Sequence, residues 1–385
     1  MPLSNVRVLD LTRARSGPTC VRQLSEMGAQ VIRVEDPGGG DISERHHFDF
    51  QNLQVNKRSI TLNLKSERGR AVFLKLVEQA DVLVENYRPD VKHRLGIDYE
   101  TLQPINPRLV YASISGFGQT GRDRRRPGFD QITQGMSGLM TINGEPGRGP
   151  LLVGVPVSDL TAGFMLAYGV VCALYERERS GKGQWVHTSL LQAAVRLMDH
   201  QAARYLMTGE NPKQNGNNHP LFGASGVYRA KDGEFMIQAA GETMFRRLLE
   251  AVGAPHLLQD ERFGTREARF EHRAEFHAEL EELLAQRTAA EWVALLTEAG
   301  VPSGPINNVQ QCFEDEQTQT LPLSATVESR VLGKMAVLGH GVNLERTPPS
   351  IRSAAPEAGE HTDAILAELG YSAEDVAQLR AEGAV

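Results

Sequence analysis

Cysteine is scarce in this chain. Its 385 residues include three cysteines, Cys20, Cys172 and Cys312, and none of them belongs to a CxxC pair. Single scattered cysteines fit a reducing compartment and argue against a cysteine-based zinc site. The adjacent histidines His46 and His47 do not have the spacing that places two ligands on one helix face. We therefore expect a cytoplasmic protein without a metal site.

The chain also lacks an excess of basic charge and a very long hydrophobic segment. A net charge of -7 argues against a nucleic-acid partner. The longest apolar run, from Leu160 to Tyr175, is shorter than a membrane span, and we interpret it as a buried helix. The opening residues MPLSNVRVLDLTRAR lead straight into a strand pattern, without the apolar segment of a signal peptide. We expect no membrane partner.

The first part of the chain alternates strand and helix patterns. VRVLDL, PTCVRQLSEMG and QVIRVE, from Val6 to Glu35, predict a βαβ unit. DVLVEN and RLVYASISG continue the pattern, with helices predicted over Ser66 to Gln79 and Pro89 to Leu95. This alternation predicts an α/β fold with an open parallel sheet.

The length of the chain exceeds what one hydrophobic core usually fills, so two domains are expected. The polar stretch GENPKQNGNNHP is typical of a linker, and after Gly226 a hairpin with a DG turn and amphipathic helices predict a smaller α+β domain. We place the large domain at 1–208, a linker at 209–225, the small domain at 226–310 and a linker with a C-terminal segment at 311–385.

The loop after the first strand is not a dinucleotide fingerprint. TRARSGP has Gly17 followed by Pro18 instead of GxGxxG, which argues against a nicotinamide cofactor. Arg13 and Arg15 precede a helix, where they could meet a phosphate group. Further cations near strand ends fit either a phosphate site or a solvated basic face: Arg33, Lys65, Arg88, Lys92 and Arg94.

The stretch VGVPVSDLTAGF, residues 153–164, places one carboxylate, Asp159, among apolar and small residues. A lone carboxylate in such surroundings is costly unless it caps a helix, is paired or is used in chemistry. Ser158 and Asp159 stand just before the longest apolar run, which predicts a helix N-cap. A catalytic role is the alternative, and the two could coexist.

Motifs along almost the whole chain resemble one family. VRVLDLTRARSGP, QVIRVEDPGGGD, SISGFGQTG, RPGFD, VGVPVSDLTAG and GVPSGPINN are similar to segments of the family III CoA-transferases, whose relatives include carnitine CoA-transferases, formyl-CoA transferases and α-methylacyl-CoA racemases. The resemblance implies a large Rossmann-like domain built from both chain ends, with the 311–385 segment returning to it. It also implies a small domain between them and an interlocked homodimer.

The resemblance implies the chemistry as well. Asp159 would be the nucleophile that carries CoA as an aspartyl thioester between an acyl-CoA and a small carboxylic acid, with no permanently bound cofactor. CoA would contact Arg15, Ser16, Leu62, Lys65, Asn86, Tyr87 and Arg94. Formyl-CoA transferases are similar but have an arginine where Asp36 stands, so that contact is not carried over.

Two other activities stay open. The racemases use a histidine in a GHD motif, whereas this chain has Gly128, Phe129 and Asp130, although Glu242 matches their downstream glutamate. Phenylalanine cannot accept a proton, which argues against proton transfer by two bases. Phe129, Asp130 and Glu242 are kept as candidate substrate contacts. A non-catalytic CoA-binding protein is the other alternative, and it would not need Asp159.

The resemblance gives a direction for the substrates. Formyl-CoA:oxalate transferases have four consecutive glycines where this chain has PLFGASG, and a tyrosine at the position of Phe129. SGLM and GVPSGPINN look more like members that use succinyl-CoA with dicarboxylates such as glutarate. We therefore expect succinyl-CoA or a formyl-CoA-like donor and a dicarboxylate acceptor. Arg124 to Arg126 could meet a second carboxylate or form a solvated loop.

Overall fold

The computed structural model describes residues 1–39 and 44–385, which form two compact units. The first unit comprises Met1–Leu139, Leu152–Glu210 and Leu321–Val385, and therefore contains both chain ends. The second unit comprises Met140–Leu151 and Asn211–Thr320. Most of the segment predicted as a linker, together with residues 140–151, thus belongs to the second unit.

A six-stranded parallel sheet forms the centre of the first unit. Its strands are β1 Arg7–Asp10, β2 Gln30–Glu35, β3 Lys57–Thr61, β4 Val82–Glu85, β5 Val110–Ser115 and β6 Trp185–Ser189. The spatial order is β3-β2-β1-β4-β5-β6, and every neighbouring pair is parallel. The predicted α/β fold with an open parallel sheet is confirmed. Successive strands are added towards one edge of the sheet up to β3 and towards the other edge from β4 onwards, so the strand order changes direction between β1 and β4. Open parallel sheets bind ligands at such a point, beyond the carboxyl ends of the strands.

Helices before residue 139 connect these strands. They are α1 Ser16–Glu26, α2 Phe48–Leu53, α3 Glu67–Glu78, α4 Pro89–Leu95, α5 Tyr99–Leu102 and α6 Asp130–Ser137. Local chemistry sets their ends: Ser66 caps α3 by accepting the N–H of Gly69, and α4 has proline in its first turn. Gly96 ends α4 with a φ of 62°, a conformation that glycine adopts without strain.

A long helix, α8 Val157–Ser180, precedes β6, and α9 Leu190–Leu197 and α10 His200–Thr208 follow it. The sequence LLQAAVRLMDHQAARYL after β6 has the pattern of one long helix, but the helix breaks at Asp199, whose φ is 43°. Within the described ranges, α8 is the one helix long and apolar enough to cross a membrane. The expectation of a buried helix holds for one face only, because Phe164, Tyr168 and Tyr175 are exposed.

The two sides of the sheet bury separate hydrophobic clusters. Val8, Val82 and Val110 pack with α1, α8 and α9, whereas the alternate residues Leu9, Leu83 and Tyr111 pack with α3 and the C-terminal helices. Successive side chains of each strand point to opposite sides of the sheet, and each side packs against its own layer of helices. The C-terminal segment adds the hairpin strands β10 Ser324–Ser329 and β11 Gly333–Leu338 and the helices α17 Thr362–Glu368 and α18 Ala373–Ala381.

The second unit is a small α+β structure with its own core around Tyr228, Phe245 and Phe276. The hairpin predicted after Gly226 is present as β7 Gly226–Arg229 and β8 Glu234–Ile237, and β9 Ser303–Pro305 completes a three-stranded antiparallel sheet. Its helices are α11 Glu242–Ala251, a 3₁₀ helix at Pro255–Gln259, α12 Arg266–Glu271, α13 Arg273–Leu284, α14 Ala289–Glu298, α15 Val309–Glu314 and α16 Glu316–Gln319. The short α7 Leu139–Ile142 starts at the last residue of the first unit's opening segment.

Candidate active site

Asp159 lies in the first turn of α8. The helix begins at Val157 with Pro156 in the N-cap position, so Ser158 and Asp159 are already helical residues. Within the part of the chain that the structure describes, α8 has no side-chain cap at its N-cap position. The capping role predicted for Ser158 and Asp159 is therefore wrong. Asp159 is half-buried, which leaves the alternative of a chemical role.

The pKa of the Asp159 carboxyl group is raised to about 7. Burial is the main cause, because removal from water disfavours the charged form, and the nearby carboxylate of Asp130 adds to the rise. The guanidinium group of Arg15 and a hydrogen bond with Ser16 oppose it. Arg15 in turn pairs with Asp49 of α2. A carboxyl group that titrates near neutrality in a partly enclosed place is typical of functional sites.

Close packing of α1 against α8 brings Ser16 to Asp159. An added Cβ at Gly163 would lie 2.7 Å from the carbonyl oxygen of Ser16 and 2.7 Å from Cβ of Thr19. Gly163 therefore permits an approach of two backbones that a side chain would prevent. At Gly154, by contrast, an added Cβ would meet no atom of the described residues within 4 Å.

Phe129 and Asp130 lie at the start of α6 and differ in exposure. The side chain of Phe129 is 60% exposed, whereas Asp130 is buried. Asp130 Oδ1 accepts the backbone N–H of Ser158 at 2.8 Å and that of Asp159 at 3.4 Å. Asp130 is therefore joined to the backbone of the helix that carries Asp159.

Four residues of the predicted CoA site line one cavity of about 1070 Å³ in the first unit: Leu62, Lys65, Tyr87 and Arg94. The cavity lies at the carboxyl ends of β2, β3 and β4, and Arg13, from the loop after β1, also lines it. Lys65 and Arg94 are exposed, so their charges are available to a ligand. Sequence reasoning missed Arg70, a further cation of this wall. Its place in α3, one turn after Ser66, is the signal that could have identified it.

The other three residues of the predicted CoA site lie elsewhere. Arg15 and Ser16 are the groups that act on Asp159. Asn86 hydrogen-bonds both backbone groups of Arg13, accepting its N–H at 2.9 Å and donating to its carbonyl oxygen at 2.8 Å. Asn86 thus holds the loop that carries Arg13 at the cavity. Asp36 also lines the cavity, 3.8 Å from Lys65 Nζ.

Two cations near strand ends do not line this cavity as free charges. Lys92 is fully buried and its Nζ donates to Glu85 Oε1 at 3.1 Å and to Gln119 Oε1 at 2.9 Å. Arg33 is also buried and lies 3.4 Å from Glu35. Lys92 and Arg33 therefore form buried ion pairs and do not have the phosphate-binding role considered for them. Arg88 is exposed and lies 4.0 Å from Asp90.

The remaining candidates are placed as follows. Glu242 starts α11 in the second unit and pairs with Arg269 of the same unit. Arg124, Arg125 and Arg126 are exposed, and Arg126 lies 3.8 Å from Asp123. No described contact joins Arg124, Arg125 or Arg126 to Asp159.

Comparison with known proteins gives a consistent result. The sequence model of CoA-transferase family III matches residues 3–362. The chain is 37% identical over 379 residues to an acetyl-CoA:oxalate CoA-transferase of Acetobacter aceti, and the match covers 96% of each protein. It is 33% identical over 394 residues to a succinyl-CoA:glutarate CoA-transferase of Homo sapiens, and this match covers 100% of the chain and 90% of the human protein.

Solved structures agree. A crystal structure of a CAIB/BAIF family protein from Brucella suis has a TM-score of 0.83 and 35% sequence identity, covering 96% of this chain and 99% of that chain. The similarity in sequence and fold extends over both units. The chain therefore belongs to CoA-transferase family III, and it is a CoA-transferase that takes acyl-CoA as a substrate.

Proposed function

We propose that this enzyme moves CoA from succinyl-CoA or a formyl-CoA-like thioester to a dicarboxylic acid, through a covalent CoA thioester on Asp159. The observation that carries the proposal is the place of Asp159. Its half-buried carboxyl group has a pKa raised to about 7 and lies beside Arg15 and Ser16. A more basic carboxylate is a better nucleophile once ionised, and a partly enclosed place protects reactive intermediates from water.

The first half of the reaction loads CoA onto the enzyme. An oxygen of the Asp159 carboxylate attacks the thioester carbonyl of the donor, the carbon–sulfur bond breaks, and CoA leaves as a thiolate. The product is a mixed anhydride between the donor acyl group and Asp159. The thiolate then attacks the aspartyl carbonyl carbon, which releases the donor acid as a carboxylate and leaves CoA as a thioester on Asp159.

The second half repeats these steps in reverse with the acceptor. The acceptor carboxylate attacks the aspartyl thioester, forming a second mixed anhydride and releasing the thiolate. Attack of the thiolate on the acceptor's acyl carbonyl gives the new acyl-CoA and returns Asp159 as a carboxylate. Charge and atoms balance without another reactant, which supports a reaction with no permanently bound cofactor.

The cavity in the first unit supports CoA binding. CoA carries phosphate groups and an adenine base, and the cavity offers Lys65 and Arg94 for the phosphates and Tyr87 for packing against the base. Arg13 and Arg70 add two further cations to the same wall. Its volume of about 1070 Å³ is sufficient for a ligand larger than most drug-like molecules.

A dicarboxylate acceptor fits the charge beside the nucleophile. Arg15 acts on the Asp159 carboxylate, and a guanidinium group binds carboxylates with two parallel hydrogen bonds. While one carboxylate of the acceptor reacts, Arg15 would bind an anionic oxygen of the same acceptor. Oxalate and glutarate are the acceptors in the names of two similar proteins. The PLFGASG segment and Phe129 depart from the pattern of the formyl-CoA:oxalate transferases that the chain resembles, which favours the longer diacid.

The exposed apolar face of α8 supports a homodimer. Phe164, Tyr168 and Tyr175 are at least half exposed on this helix, and Leu206 and Met207 of α10 are 81% and 86% exposed. Large apolar side chains grouped on helices are typical of protein interfaces. We propose that a second copy covers these helices and that the dimer is cytoplasmic. Light scattering of the purified protein tests the dimer, and a monomer at micromolar concentration would contradict it.

Intact mass spectrometry tests the catalytic proposal. The purified enzyme is incubated with succinyl-CoA, formyl-CoA or acetyl-CoA without acceptor, and the covalent CoA adduct is mapped by proteolysis. We expect an adduct on Asp159 that is absent from Asp159→Ala and that glutarate, or oxalate, discharges. Absence of an adduct with every donor that binds would overturn the aspartyl thioester. If no adduct forms but the α-proton of the donor exchanges with deuterium from heavy water, racemase-type proton transfer would be indicated.

A further inference from the structure

The helix that carries Asp159 receives its cap from another helix. Pro156 occupies the N-cap position and has no side-chain oxygen to offer, while the first N–H groups of any helix need acceptors. The Val157 N–H donates to the carbonyl oxygen of Val155 at 2.7 Å. The next two, of Ser158 and Asp159, donate to Asp130 Oδ1 at 2.8 and 3.4 Å.

Gln134 holds the Asp130 carboxylate in this position. Asp130 Oδ2 accepts a hydrogen bond from Gln134 Nε2 at 2.7 Å, one helical turn further along α6. Gln134 is fully buried, and its Oε1 accepts the N–H of Val153 at 3.0 Å. Gln134 and Asp130 thus hydrogen-bond the backbone on both sides of Pro156. Gln134 binds Val153 before the proline, and Asp130 binds Ser158 after it. The link depends on the tertiary structure, because Asp130 and Ser158 are 28 positions apart in the sequence.

We propose that Asp130, oriented by Gln134, is a positioning residue that fixes the first turn of α8 and thereby the direction of the Asp159 side chain; this inference rests on the proposed role of Asp159 as nucleophile. Asp130 therefore acts through the helix backbone instead of binding substrate. A buried carboxylate used as a cap is costly unless its oxygens are satisfied, and the donors from Ser158, Asp159 and Gln134 satisfy them.

The charge of Asp130 has a second effect on Asp159. The groups that act on the Asp159 carboxyl are Asp130 of α6, which raises its pKa, and Arg15 and Ser16 at the start of α1, which lower it. Asp49 of α2 pairs with Arg15 and moderates its charge. A substitution that keeps the cap but removes the charge at residue 130 therefore moves the titration of Asp159 to lower pH.

Three variants separate the cap from the charge. Asp130→Ala removes both. Asp130→Asn keeps an acceptor for the Ser158 N–H but turns an NH₂ group towards the NH₂ group of Gln134. Adding Gln134→Glu provides an acceptor for that NH₂ group and keeps one for the Val153 N–H. It loses the 3.4 Å contacts of Gln134 Nε2 with the carbonyl oxygens of Val153 and Val155.

The same helix offers a matched control for the glutamate substitution. Gln131 lies in the first turn of α6, next to Asp130 in the sequence, and is exposed where Gln134 is buried. Gln131→Glu therefore makes the same chemical change on the same helix, with the new charge in contact with water. Solvent screens such a charge, so its effect on Asp159 should be small.

The experiment measures the rate of adduct formation on Asp159 against pH, the KM for succinyl-CoA, and hydrogen–deuterium exchange of the peptide 153–164. We expect Asp130→Ala to slow adduct formation by about tenfold or more, with KM within about twofold, and to speed exchange. In Asp130→Asn we expect a lower pH at the midpoint of adduct formation. In Asp130→Asn/Gln134→Glu we expect the peptide 153–164 to regain its protection from exchange. Gln131→Glu behaves as wild type.

Two results with a folded Asp130→Ala enzyme would overturn the proposal. One is an Asp130→Ala enzyme with unchanged rate and exchange, and the other is a rise in KM at unchanged kcat, which would identify a substrate ligand. Where Asp130→Ala does not fold, exchange that is equally fast in Asp130→Asn and in the double variant overturns it, whereas recovery in the double variant supports it. If wild type forms no adduct, the proposed function fails, and the exchange of residues 153–164 alone decides the positioning role.

Discussion

Gly163 of α8 lies against the carbonyl oxygen of Ser16 at the start of α1, so close that an added Cβ would stand 2.7 Å from that oxygen. The contact joins the helix that carries Asp159 to the start of α1, where Arg15 and Ser16 lie. We predict that Gly163→Ala lowers both stability and activity. Alanine gains about 1 kcal/mol of helix propensity, but overlap with a backbone oxygen costs about 1–3 kcal/mol and separates Ser16 from Asp159.

Thermal unfolding and adduct formation measure this effect. Gly154→Ala is the control for stability, because its Cβ would meet no described atom within 4 Å. A Gly163→Ala enzyme as stable and as active as wild type would show that the two helices are free to separate.

The pH dependence of adduct formation follows from the titration of Asp159. Its pKa is raised to about 7, mainly by burial, and only the ionised form is a nucleophile. The rate with saturating succinyl-CoA should therefore rise with pH, reach half of its maximum near pH 7 and stay level above about pH 8. Rapid-quench mass spectrometry between about pH 5.5 and 8.5 provides the measurement. A rate that is already maximal at the acidic end of this range would contradict the shifted pKa.

Removal of one cavity cation should weaken CoA binding without affecting the chemical step. Arg94 lines the cavity, and the loss of a hydrogen bond to a charged group costs about 1.5–3 kcal/mol. We predict that Arg94→Gln raises the KM for succinyl-CoA by about tenfold or more and leaves kcat within about twofold. Arg88→Gln is the control, since Arg88 is an exposed residue of the same segment that is absent from the described lining of the cavity. Equal effects of both substitutions would indicate a general electrostatic field.

The buried ion pair of Lys92 and Glu85 should hold Tyr87, a residue that lines the proposed CoA cavity, in place. Glu85 Oε2 accepts the N–H of Tyr87 at 2.8 Å, so the pair holds the residue proposed to pack against adenine. Removing one partner of a buried pair costs about 3–5 kcal/mol. We predict that Lys92→Met is destabilised by about that amount and binds succinyl-CoA more weakly.

The pH response of Lys92→Met gives a further check. Burial raises the pKa of Glu85 and Lys92 opposes the rise, so without Lys92 the pKa of Glu85 rises further. A folded-state pKa above the unfolded value makes stability fall as pH increases through the interval between them. Melting temperatures at about pH 5 and about pH 8 should therefore differ more in Lys92→Met than in wild type. The double variant Lys92→Met/Glu85→Gln should lose this dependence, and its persistence would contradict the assignment to Glu85.

Much of the secondary structure could be predicted, because it follows from local patterns. Alternating apolar residues predicted the strands around Val8, Val31 and Val82, and proline in the first turn with glycine after the last predicted α4 at its observed bounds. The break between α9 and α10 could not be predicted. It occurs at Asp199 with a positive φ and without glycine or proline, so the tertiary structure overrides the local preference.

The candidate site was predictable in its residue types and less so in its arrangement. Leu62, Lys65, Tyr87 and Arg94 share one cavity because each follows a strand or belongs to a helix at the carboxyl edge of the sheet. Gln134 was missed, although its place one turn after Asp130 on α6 is a usable signal. Lys92 gave no local sign of its burial, because its partners Glu85 and Gln119 lie outside its own helix.

The sequence by itself determined the order of strands and helices, the family and the identity of the candidate nucleophile, since each depends on residues that are close along the chain. Only the tertiary structure decided which charges are buried and which face the cavity. It also decided that Asp130 caps the helix of Asp159 and that the pKa of Asp159 rises to about 7. Removal from water and interactions between charges depend on distance in space, and folding places Arg15, Asp130 and Asp159 together from three separate elements.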